Sequence, residues 1–138
     1  MATGTAGGAG RQFHTQQVHY LRKSIAYNTT GIGTGVKMGT LPAGAQVIDA
    51  VTYVSTVFNA ATTNVLTAGT NASSYNNIIG SGDVTEGTTG GYRAAILTAG
   101  AVTTTADTDV YVMYTQSGTA ATTGAATVVI TYVVNNDG

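Results

Sequence analysis

The chain has 138 residues and a formal net charge of −1, with 8% of residues charged, 19 glycines, one proline, and neither cysteine nor tryptophan. This length supports one domain with a real core. So weak a charge excludes a long-range field toward polyanions or membrane surfaces, five Lys and Arg cannot form a nucleic-acid binder's basic face, and without cysteine neither a disulfide framework nor a thiolate metal centre can form.

Residues 1–12, MATGTAGGAGRQ, are mostly Gly, Ala and Thr, with Arg11 the one charge. Such a stretch has too little apolar surface to offset the entropy of ordering. Residues 1–17 are therefore expected to form a flexible N-terminal arm, either a disordered tail with no role or an arm that orders only against a neighbouring subunit. The same stretch lacks the long apolar core of a secretion signal. No apolar run approaches the ~20 residues of a membrane span, so the expectation is a soluble protein made in a cytoplasm. Residues 13–27, FHTQQVHYLRKSIAY, differ in character: Phe13, Tyr20 and Tyr27 accompany Arg22 and Lys23. Leu21, Lys23, Ile25 and Tyr27 recur at period two, which favours a first strand from about Val18 over a short helix.

GIGTGVKMGTL, residues 31–41, leads to the sole proline, Pro42. Proline cannot donate to a sheet ladder, and its fixed φ suits the first corner of a turn, with Gly44 in the closing position. The expectation is a hairpin whose second arm is AQVIDAVTYVSTVF, residues 45–58. Alternation there puts Val47, Val51, Tyr53 and Val57 on one side and Ile48, Val54 and Phe58 on the other. Apolar residues on both sides imply a central strand covered on both faces. Further strands are expected at 64–69, 76–79, 92–98, 108–116 and 126–134. In the last, Val128, Ile130, Tyr132 and Val134 form one row and Val129 and Val133 the other. Clusters of Gly, Asn, Ser and Thr separate these runs and read as turns. Seven or eight strands at this spacing imply an all-β fold, an antiparallel β-sandwich or jelly roll spanning residues 18–138.

No catalytic constellation emerges. GIGTGV lacks the strand–helix context and the Gly-Lys-Ser/Thr of a phosphate loop. His14 and His19 are five apart, which matches neither helical nor same-face strand spacing for a metal. Asp107 and Asp109 stand at the mouth of a strand, where Asp commonly closes a turn. Asp83 and Glu86 could meet a calcium ion but lack a D-x-D-x-D-G loop. No serine lies in a G-x-S-x-G elbow. The expectation is a protein that is not an enzyme and carries no cofactor or metal. The scarcity of charge has its own implication: a free monomer usually keeps a charged surface for solubility, whereas Thr, Ala, Asn, Gly and Val suit a protein held in a symmetric assembly, and equally a β-rich fibre or surface-layer component.

Two blocks carry a resemblance. VKMGTLPAGAQVIDAVTYVSTVFNAATTNVLTAGT (36–70) and ADTDVYVMYTQSGTAATTGAATVVITYV (106–133) resemble the small jelly-roll cement or decoration proteins of tailed bacteriophages, across about residues 35–134. The resemblance implies a structural virion protein, synthesised in the bacterial host cytoplasm. Located on the outer surface of the capsid, it would bind the major capsid protein, itself form a homodimer or homotrimer, and bridge neighbouring capsomers. Beside that resemblance, the basic and aromatic residues Arg11, Phe13, His14, Tyr20, Arg22 and Lys23 are the expected capsid or subunit contacts; Pro42 and Gly44 are expected to be structural. A reading from another class is a carbohydrate- or receptor-binding sandwich of a tail fibre or spike, using Tyr75 with Asn76 and Asn77, or Tyr92 with Arg93.

Overall fold

Val, Ile, Thr and Tyr at period two suit a pleated, half-buried surface, and they form the strands of the computed structural model, which describes residues 17–96 and 102–135. These strands are β1 (His19–Ala26), β2 (Val36–Leu41), β3 (Gln46–Thr56), β4 (Thr63–Gly69), β5 (Gly90–Arg93), β6 (Thr108–Ser117) and β7 (Ala125–Val133). The elements of the described residues are all β-strands.

The pairings form one long hairpin rolled into two sheets. β1 pairs with β7, β2 with β6 and β3 with β5, all antiparallel. At the innermost level β4 meets Ile79 through a single bridge from Ala68. Rolling adds β3 against β7 and β4 against β6, which gives sheet orders β1-β7-β3-β5 and β2-β6-β4. This is a jelly roll whose eighth strand has shrunk to one bridge. The strand expected at 76–79 is thus only that contact, because Asn76 and Asn77 are spent on loop hydrogen bonds. The strand expected at 92–98 lies earlier and is shorter, ending at Arg93.

The inward rows of the two sheets meet in the core. β6 contributes Val110, Val112 and Tyr114, and β7 contributes Ala126, Val128 and Ile130. Phe58 and Tyr114 pack ring on ring with centroids 4.7 Å apart, and the Tyr114 hydroxyl donates to Asn64 Oδ1 at 2.5 Å. Burying a hydroxyl without such a partner would cost several kcal/mol, on the order of 2–7.

Two expectations are corrected. β3 is a central strand, but only one of its faces is covered. A bulge between Val47 and Asp49 shifts its register, so Val47, Ala50, Thr52 and Val54 point into the core. Ile48, Val51 and Tyr53 are left on the outer side, Tyr53 at 54% exposure. An extra residue in one strand reverses the parity of everything after it. Likewise, Pro42 does not pin a hairpin: β2 and β3 lie in different sheets, and the proline sits at the corner between them. The turn runs from Pro42 to Ala45, whose N–H donates to the Pro42 carbonyl at 3.1 Å. Pro42 therefore takes the first position, not the first corner, and Gly44 the third, with φ of 81°. That position of a type II turn demands positive φ.

The corner is held from outside. Thr104 Oγ1 donates to the Pro42 carbonyl at 2.6 Å and accepts from Ala45 N–H at 3.0 Å. Asp107 Oδ1 accepts from Ala43 N–H at 3.0 Å. The segment before β6 thus caps the β2–β3 corner with side chains.

Candidate interaction surfaces

Arg11, Phe13 and His14 lie outside the described residues. Tyr20, Arg22 and Lys23 all fall on β1, but alternation divides them. His19, Leu21, Lys23 and Ile25 form the inward row, where His19 stacks on Tyr132 with centroids 5.5 Å apart. Leu21 closes the side of the sandwich by lying against the Cα of Gly39 on β2, where a Cβ would collide with it. Tyr20, Arg22 and Ser24 point outward and are exposed. β1 is an edge strand, and an inward-pointing lysine such as Lys23 blunts an edge against the addition of a foreign strand.

The outward side of the four-stranded sheet is a feature that alternation alone did not reveal. Register aligns Arg22, Val129, Val51 and Arg93 in one row across all four strands. The next rows hold Tyr20, Thr131 and Asp49 on one side, and Ser24, Thr127, Tyr53 and Gly91 on the other. The four large apolar side chains exposed among the described residues are Val18, Tyr20, Ile48 and Tyr53. Tyr20 and Tyr53 stand on this face, Val18 is in step with Tyr20, and Ile48 occupies the β3 bulge. The charged groups flank the centre: Arg22 is on β1, and Arg93 Nε meets Asp49 Oδ1 at 3.1 Å across β5 and β3.

The opposite sheet presents a different surface. Loop 70–77 folds back over β4, tied by Asn71, which accepts from Asn76 N–H and donates to Asn76 Oδ1. Asn77 exchanges two hydrogen bonds with Thr70. Tyr75 stacks on Tyr111 at 4.7 Å, over Gly35, where a Cβ would strike the ring. The ring and the two amides proposed for a sugar platform are thereby engaged in holding the loop, and Tyr92 donates its hydroxyl to the Thr88 carbonyl at 2.7 Å.

The acids are dispersed. Asp83 Oδ2 accepts from Gly80 N–H at 2.7 Å, closing a turn. The Thr40 hydroxyl, then Lys37, hold the Asp109 carboxyl below the usual carboxylate range; Lys37 Nζ is 3.1 Å away. Glu86 does not approach Asp83's role: it is buried at 7% exposure, and its Oε1 accepts from Leu66 N–H on β4 at 2.7 Å. Its own carbonyl accepts from Phe58 N–H. β4 is the edge of its sheet, so the Glu86 carboxylate caps an edge N–H that a missing strand would otherwise take. Burial pushes the Glu86 carboxyl up, against the lowering effect of its backbone hydrogen bonds. Burial, then Glu86, pushes the Tyr114 hydroxyl up.

A pH dependence follows. A carboxyl with a raised folded pKa destabilises the fold once it ionises, so its penalty is absent in acid, grows as pH rises past the ordinary value of 4.5, and is complete above the raised value. Glu86→Gln keeps the acceptor for Leu66 but cannot ionise. Urea melts from pH 4.5 to 8 should show the variant gaining stability on wild type as pH rises. A constant difference would contradict the burial of an ionising group.

No protein-family model matches the chain, and no curated protein does. Solved structures do. A chain of the acid-stable capsid structure of Helicobacter pylori bacteriophage KHP30 is similar with a TM-score of 0.60 and 14% identity, over 85% of this chain and 87% of that one. A chain of the capsid of Ralstonia phage GP4 gives 0.58 and 20%, over 86% and 85%. A chain of the cyanophage Pam1 capsid asymmetric unit gives 0.56 and 20%, over 86% of each. At such identities the likeness establishes the shared fold.

Proposed function

We propose that this chain is a structural virion protein of a tailed bacteriophage, a cement protein that binds the major capsid protein from outside and bridges neighbouring capsomers. The observation that carries the reading is the jelly roll itself, shared over nearly its whole length with chains of three phage capsids. Its sequence blocks and its 8% charge support the same reading. So does the use of its acids, each described one being committed to a turn, an ion pair or a strand edge.

Attachment is non-covalent and multivalent. Each copy contributes a modest contact, and many copies spanning subunits make loss of any one subunit require the release of several contacts together. Residues 1–17, with Arg11, Phe13 and His14, act as an arm that orders on the shell. Tyr20, Arg22 and Lys23 belong to the same basic, aromatic stretch and serve shell or subunit contacts.

The test is to add purified protein to shells that lack it. Binding should saturate at copy numbers on the order of hundreds per shell, as repeated icosahedral sites require, and should raise the temperature at which shells break. Shells that bind nothing would refute the proposal, whereas specific capture by a glycan array would favour a receptor-binding module.

A further inference from the structure

We infer that the outward face of the sheet β1-β7-β3-β5 is the side that lies against the shell, and that it is met there by an acidic protein surface. The inference rests on the cement reading and adds to it an orientation for the molecule and a chemistry for its partner.

Charge and exposed apolar surface both divide between the two sheets. The four-stranded sheet carries Arg22, Lys23 and Arg93 against Asp49, an excess of two positive charges. The three-stranded sheet and its adjoining loops carry Lys37 against Asp83, Glu86, Asp107 and Asp109, an excess of three negative charges. The exposed large apolar side chains follow the cations: Tyr20 is on β1, Val18 directly precedes that strand, and Ile48 and Tyr53 are on β3. Across the molecule, Tyr111 is covered by the Tyr75 ring. One broad side therefore offers tyrosine and arginine around Val51 and Val129, and these are residue types that protein contacts favour. The other side shows water its acids, Asp107 and Asp109 among them.

The charge on the four-stranded face selects its partner. Arg22 is exposed and meets no carboxylate among the described residues. Arg93 gives Nε to Asp49, and its side chain is 73% exposed, so the outer nitrogens of the guanidinium stay open to a carboxylate. A second copy of the same face would bring positive charge onto positive charge. The described acids of the opposite side are each engaged at home: Asp83 by Gly80 N–H, Asp107 by Ala43 N–H, and Asp109 by Thr40 and Lys37. Glu86 is buried on Leu66. Carboxylates for Arg22 and Arg93 then come from a different protein, and under the cement reading that protein is the major capsid protein. Its negative charge repels the acidic side, so the field that seats one sheet also turns the other outward.

Two exposed strand positions on opposite sheets make a matched test, Ser24 on β1 and Thr115 on β6. Ser24→Glu should weaken binding to bare shells by at least about fivefold, and Ser24→Lys should tighten it. Thr115→Glu and Thr115→Lys should leave it within about twofold. Circular dichroism should show all four folded, as exposed positions allow. Raising salt from about 50 to 500 mM should weaken wild-type binding by several-fold. The chain has no cysteine, so Ser24→Cys and Thr115→Cys each carry a single thiol. On decorated shells a maleimide should label Thr115→Cys as fast as in the free protein, and Ser24→Cys at least about tenfold more slowly. Equal effects of the two glutamate variants, or a protected thiol in Thr115→Cys with a free one in Ser24→Cys, would overturn the inference and leave the cement reading standing. Binding indifferent to salt would overturn the acidic partner. Shells that bind no protein would overturn the cement reading and this inference with it. Open-ended growth of the protein alone in sedimentation, broken by Ser24→Glu, would assign the face to the acidic side of another copy and overturn it too.

Discussion

Gly124→Ala should be strongly destabilising, costing about 2–6 kcal/mol and lowering the melting midpoint by roughly 6–20 °C. Two separate costs add. Gly124 has φ of 146°, a conformation that L side chains rarely adopt, and strain of this kind costs about 1–3 kcal/mol. A Cβ there would also collide with the ring of Phe58. That ring cannot retreat, because it packs on Tyr114, and the Tyr114 hydroxyl is tied to Asn64. Overpacking of a filled core adds about 1–3 kcal/mol. Gly124 also gives its carbonyl to Tyr27 N–H at 3.0 Å, fixing the start of β7 beside the end of β1. Gly82→Ala is the control: an added Cβ there meets nothing within 4 Å, so its cost should stay within about 0.5 kcal/mol. Thermal melts of the two variants beside wild type decide the matter, and similar losses would contradict the packing described for Phe58.

Deleting residues 1–17 should leave the sandwich folded and weaken shell attachment by at least about tenfold, if those residues supply one of several linked contacts. The fold should survive because the described strands start at His19, and the β1–β7 register runs from the His19–Tyr132 pair to the Ala26–Ala125 pair within the retained chain. Binding to bare shells is the measurement, with a melt of the truncated protein as the control. Undiminished decoration by a folded truncation would remove the arm from the account.

Much of the fold could be read from residue patterns, where one parity was clearly apolar. In β7, Val128 and Ile130 are buried and Val129 lies on the other side, as period two requires. β6 behaves alike through Val110 and Val112. Pattern reading failed where both parities were apolar. Across Gln46–Thr56 nothing local marks the Val47–Asp49 bulge, so the apolar outer face and its exposed Tyr53 cannot be told from a second buried face by alternation. Pro42 announced a turn, but local chemistry cannot say whether the next strand joins the same sheet or the opposite one. Glu86 was hidden for another reason. It lies in GSGDVTEGTTGG, which reads as a solvated loop, and only the rolling of the hairpin brings that loop onto the edge of β4. The Tyr75–Asn76–Asn77 cluster shows the converse: residue types suited to a sugar proved to be the loop's own fastenings.

Shell-wide decoration is tested most directly by the copy number of this chain in purified virions. Quantitative gel or mass-spectrometric ratios to the major capsid protein should give a fixed ratio corresponding to hundreds of copies per particle, on the order that repeated surface sites demand. About a dozen copies or fewer, the number of a tail ring, fibre or joining complex, would contradict it.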